Sequence, residues 1–151
     1  MKLANALAQR ADLQRRMAQL SSRLMNNAKV QEGEQPAEDP KALLAEMECL
    51  SAELEALICR INLTNTAAHD ENGVSLTMLL ARRDCLKMKL GIYREFLQNA
   101  SDVIPRGLRT EIKIVSTVKV SQMQKQVDDM SRDLRLLEET IQSLNWTTEL
   151  Q

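Results

Sequence analysis

Aromatic side chains are almost missing from this chain: its 151 residues include one Phe, one Tyr and one Trp, 2% in all. Sandwiches and barrels fill their interiors with aromatic and β-branched residues, so the shortage argues against both. Histidine occurs once, which leaves no second imidazole for a metal site, and no Glu-x-x-His motif of the helical di-iron kind is present. The three cysteines, Cys49, Cys59 and Cys85, are odd in number and form no CxxC. They read as buried or half-buried thiols in a reducing compartment, not as a disulfide framework. Four Gly and three Pro leave no GxGxxG, no phosphate-binding Gly-Lys-Ser/Thr loop and no GxSxG.

Long apolar runs are also lacking. No stretch approaches the ~20 residues that span a bilayer, and "MKLANALAQRADL" is interrupted at Arg10 and Asp12 before any signal-like core. The chain therefore reads as cytoplasmic, with no transmembrane segment. The two charge signs nearly cancel, with 20 Lys and Arg against 21 Asp and Glu, and they are interspersed. Without a basic block or an aromatic stacking platform, no nucleic-acid partner is expected.

What is present is material for helices. Apolar residues make up 44% of the chain, and eight Met take the place that aromatics would hold. Steps of three and four pick out Leu3, Ala6, Arg10, Leu13, Met17, Leu20 and Leu24, then Leu43, Met47, Leu50, Leu54, Leu57 and Ile61. A third stripe joins Leu76, Leu79, Arg83, Leu86, Leu90, Tyr93 and Leu97, and a fourth joins Met123, Val127, Met130, Leu134, Leu137, Ile141 and Leu144. Stripes of this kind bury against each other or against another chain. The expected fold is mainly α: an antiparallel, coiled-coil-like bundle of four long helices over about residues 2–27, 40–65, 75–102 and 121–145, in a single domain of residues 1–151.

Local signals mark the ends. The linker "KVQEGEQPAEDP" closes on Asp39 as N-cap with Pro40 at the first helical position. Ser75 is placed to cap the third helix, Pro105 and Gly107 follow it, and Ser121 with Gln124 has the spacing of a capping box. Arg10 and Arg83 interrupt otherwise apolar stripes. As candidate buried charges they need partners, with Asp128, Asp129 and Asp133 available, or a solvated bundle edge.

One segment breaks the helical pattern. In "EIKIVSTVKV", Ile112, Ile114, Ser116, Val118 and Val120 share one parity and Glu111, Lys113, Thr117 and Lys119 the other. That predicts a short strand at about residues 110–120, whose backbone needs a partner. Residues 28–33 offer one within the chain, and the same segment of a second subunit offers another across a two-fold axis. The second arrangement makes Glu111, Ile112, Ile114, Ser116, Val118 and Val120 an oligomer interface. The protein is then a homo-oligomer, a dimer or a higher even-numbered assembly.

Chemistry is thin. His69, Asp70 and Glu71 stand together in "TAAHDENG" as weak candidates for a metal, but neighbouring residues rarely point at one ion. No catalytic residues, cofactor or metal are expected. At the C-terminus, "IQSLNWTTEL" carries Trp146, which reads as packing on the end of the bundle, with an exposed partner-binding tail as the other reading.

Three stretches together, "VQEGEQPAEDP", "EIKIVSTVKV" and "IQSLNWTTEL", resemble a family of small bacterial helical proteins that go by the label septicolysin. The resemblance implies a helical protein along most of the chain and, from the label, a membrane-active cytolysin. It brings no agreed catalytic residues. The residues themselves favour a non-enzymatic, self-associating helical protein with a structural or protein-interaction role. A septicolysin-like membrane activity is the alternative, and a metal or enzymatic role of the His69 loop the second alternative.

Overall fold

The computed structural model describes residues 1–102 and 114–151. The fold is mainly α, with four helices among the described residues: α1 (Leu3–Asn26), α2 (Pro40–Ala67), α3 (Leu76–Ser101) and α4 (Val120–Thr147). At 1.5 Å rise per residue these are rods of about 36 to 42 Å. They group into two compact units, one formed by Met1–His69 with Leu144–Gln151 and the other by Asp70–Ser143.

In the first unit α1 and α2 run antiparallel. Arg23, near the end of α1, meets Glu38 and lies 3.7 Å from Glu46, whereas Gln9, near its start, reaches Glu53 at 3.3 Å. The stripes are buried unevenly. Leu13 and Leu20 on α1, and Leu43, Leu50 and Leu57 on α2, are almost fully covered at seven-residue intervals. The positions between them, Met17, Met47 and Leu54, are only half-buried. A stripe of this kind follows the contact line of two paired rods.

Asp39 caps α2 as its sequence implies: its Oδ1 accepts from the Lys41 N–H at 3.0 Å, and Pro40 supplies a first residue that needs no hydrogen-bond acceptor. The linker before it is pinned by Asn27, which is 7% exposed. Asn27 Nδ2 donates to the Arg23 carbonyl at 2.9 Å and Oδ1 accepts from the Glu38 N–H at 3.0 Å. One side chain thereby adds a second bond to a carbonyl in the last turn of α1, which also accepts from the Asn27 N–H at 3.2 Å, and holds the returning chain. Glu38 receives three bonds from the Arg23 guanidinium, which hold its carboxyl below the ordinary carboxylate range. Residues 28–33 form no strand; Glu34 N–H bonds the Gln31 carbonyl at 3.0 Å around Gly33, whose φ of 89° is a conformation that glycine adopts freely.

In the second unit α3 and α4 are also antiparallel, since Lys87 pairs with Glu138 at 2.6 Å and Arg94 donates to the Ser131 hydroxyl at 3.0 Å. Leu90, Leu97 and Val127 form their core, flanked by Tyr93, Met123, Met130 and Leu134. Ser75 caps α3 through its Oγ, which accepts from the Met78 N–H at 3.3 Å.

The expected strand does not form where the structure describes it. Glu111 and Ile112 lie outside the described residues. From Ile114 to Lys119 the backbone is irregular, and Val120 already begins α4. Ser116 explains part of this. Its hydroxyl donates to the Val118 carbonyl at 3.0 Å and accepts from the Val118 N–H at 3.4 Å, taking both groups that a strand would offer a neighbour. The Ser121–Gln124 capping box is absent as well. The Lys119 carbonyl accepts from the Gln122 and Met123 N–H groups at 3.1 Å, so Ser121 sits inside the first turn. Gln124 turns instead to Asp128, 2.9 Å away.

Asn27→Ala removes two bonds made by a buried side chain, so unfolding free energy should fall by about 1–3 kcal/mol. Urea denaturation with unchanged slope checks this, and a loss below about 0.5 kcal/mol would show that water replaces both bonds.

Candidate functional site

The residues of the His69 loop are employed in local structure. His69 is exposed, and its Nδ1 is bonded to the Ala67 carbonyl at 2.8 Å. The Asp70 carboxylate accepts from the Asn72 and Val74 N–H groups at 3.0 and 2.8 Å, while the Asp70 N–H donates to the Val74 carbonyl at 2.9 Å. Gly73, with φ of 75°, completes this turn. Asp70 is thus a loop closer whose acceptor oxygen is already engaged, and Glu71 is exposed. Among the described residues no three His, Cys, Asp or Glu side chains gather in a way that could hold a metal.

The two interrupting arginines differ. Arg83 pairs with its chain neighbour Asp84, Nη2 to Oδ1 at 2.8 Å, and not with the aspartates of α4. Asp129 and Asp133 instead face Arg132, at 3.6 and 3.9 Å. Arg10 is half-buried, and its Nε is covered without a hydrogen-bond partner among the described residues. The three thiols, expected to be buried or half-buried, are all exposed. They lie well away from the leucine stripes of their helices, and exposure follows from that offset. Trp146 is 62% exposed and does not pack the end of a bundle, whereas its neighbour Asn145 is buried.

The chain ends form a polar cluster, all within the first unit. Leu3 N–H donates to the Thr148 carbonyl at 3.0 Å and Leu150 N–H to the Met1 carbonyl at 2.8 Å, giving an antiparallel bridge between Lys2 and Glu149. Glu149 accepts from Lys2 Nζ at 2.8 Å and lies 3.0 Å from the Met1 amino group. Hydrogen bonds from both, Lys2 first, hold the Glu149 carboxyl below the usual 4.5. The last residue is fixed too: Gln151 N–H donates to Thr64 Oγ1 at 3.0 Å, and Arg60 Nε donates to the Gln151 carbonyl at 2.7 Å. These groups satisfy each other.

The remaining feature is a surface. The outer side of α3 carries Met78, Ala81, Cys85, Met88, Ile92 and Phe96, all exposed; Met88 is 64% and Ile92 66% accessible. Ile114 and Val115, at 61% and 73%, extend it, since they line one shallow groove with Phe96 and Ala100. Steps of three and four connect the α3 members as regularly as they connect its leucines. The signal was in the sequence, but Cys and Ala dilute it and the leucine stripe outweighs it.

A fold of long, paired helices defines the class: mainly α, with an exposed apolar face on α3. The chain belongs to a family of unknown function, DUF6847, whose sequence profile matches residues 10–150. It is similar to a functionally unknown conserved protein from Corynebacterium diphtheriae, known from its crystal structure, at 41% identity over 100% of this chain and 99% of that one, with a TM-score of 0.92. No curated protein matches.

The Glu149 contacts predict a pH dependence. A carboxyl whose folded pKa is depressed contributes stability above its unfolded value and loses it as pH falls through the folded value. Glu149→Gln should therefore lower the melting temperature at neutral pH, and the gap to wild type should close on acidification below about pH 4. A gap that is constant with pH would show that the ion pairs do not contribute.

Proposed function

We propose that the protein is non-enzymatic and acts by self-association, as a helical structural or protein-interaction module. The uncovered apolar face of α3 supports this reading: Met78, Met88, Ile92 and Phe96 are between 44% and 66% exposed on one helix. Isolated exposed apolar residues are ordinary, but a contiguous stripe costs solubility unless something covers it. The same face replaces the expected strand as the place where copies meet, with Ile114 at its margin. Families of interaction proteins need no shared catalytic set, and the polar clusters at the His69 loop and at the chain ends are spent on structure.

Light scattering tests the reading. The wild type should have at least twice the 17.1 kDa chain mass at micromolar concentration. Ile92→Glu, which places a charge in the middle of the stripe, should reduce it to a single chain while leaving helical circular dichroism intact. A monomeric wild type, or equal masses for the two, would overturn self-association. Leakage of anionic vesicles by the purified chain would favour the septicolysin-like membrane activity instead.

A further inference from the structure

At 100° per residue, Met78, Ala81, Cys85, Met88, Ile92 and Phe96 fall within an arc of about 80° on α3. The two borders of that arc carry opposite charge. Arg82 and Lys89 lie along one border, and Asp84 and Glu95 along the other, all exposed. Among the described residues Arg82, Lys89 and Glu95 have no ion-pair partner; Lys89 rests over the Tyr93 ring at 5.6 Å, and Asp84 meets only Arg83. Such a stripe, with a basic and an acidic rim, has a definite preference for how it meets a copy of itself.

When two identical helices pair in parallel about a two-fold axis, the left rim of each faces the right rim of the other. In antiparallel pairing each rim faces its own kind. Parallel pairing therefore brings acid against base on both sides of the seam, and antiparallel pairing brings Arg82 against Lys89. At charged rims, like charges in opposition cost affinity and opposite charges fix the register. Resting on the self-association reading above, we infer that the occupant of this face is α3 of a second copy, packed parallel and in register. The apolar residues then form the seam, and Asp84 of each chain faces Lys89 of the other. This spacing of five residues is the one that brings flanking positions together across a parallel seam. In-register pairing also sets each seam residue opposite itself, so Cys85 meets Cys85.

Cross-linking and charge exchange test the arrangement on the full chain. In a Cys49→Ser/Cys59→Ser background, copper–phenanthroline oxidation should convert most of the protein to a disulfide dimer through Cys85. Asp84→Lys should weaken the dimer roughly tenfold in sedimentation equilibrium, and adding Lys89→Asp should restore most of that loss. Circular dichroism confirms that each variant keeps its helices. A wild type that stays monomeric overturns both this inference and the proposed function. A stable dimer in which Cys85 does not cross-link, or in which Asp84→Lys has no effect, overturns the parallel α3 seam and leaves self-association standing.

Discussion

The architecture depends on burying one leucine at every second helical turn. With a single Phe, Tyr and Trp, the chain has few aromatic side chains to fill a wide interior. Each covered leucine contributes about 1.5–3 kcal/mol, and the residues between them on the contact line are only half-covered. A core this narrow can grow only in length. That accounts for helices of 24 to 28 residues, and for the rank of Leu13, Leu20, Leu43, Leu50 and Leu57 in the first unit. Where the helices end, polar side chains such as Asn27 and Thr64 take over and tie backbone groups that packing does not reach.

A thin core has a second consequence. A helix whose buried stripe covers a small part of its circumference leaves most of its surface outside, and sequence there is free to serve another purpose. On α3 that outer surface is apolar, with Leu90 and Leu97 on its inner side and Cys85, Met88 and Ile92 on its outer side. Methionine suits such a face because its flexible thioether adapts to the surface that covers it. The opposite charges along its rims give it direction.

Short-range features were legible in the sequence and longer-range ones were not. Asp39 with Pro40, and Ser75, could be recognised as caps because their partners lie two or three residues away. The stripes placed all four helices because burial imposes a period. The segment after Ile114 misled because valines and isoleucines alternate there, and alternation says nothing of whether a ladder partner exists; Ser116 binding its own backbone decided against it. The bridge between Lys2 and Glu149 joins opposite ends of the chain and leaves no periodic trace. The cysteines read as buried or half-buried from their number and the absence of a CxxC, whereas their offset from the leucine stripe determines their exposure. The outer face of α3 was readable in spacing, yet its composition is weaker than that of the inner stripe.

If the outer face of α3 is covered when copies meet, thiol reactivity reads it on the unmodified chain. Cys85 lies in the stripe, while Cys49 and Cys59 are exposed on α2. Across a dilution series, the rate of maleimide addition at Cys85 should fall as protein concentration rises, with Cys49 and Cys59 unchanged. Equal and concentration-independent rates at all three thiols would show that the α3 face stays open.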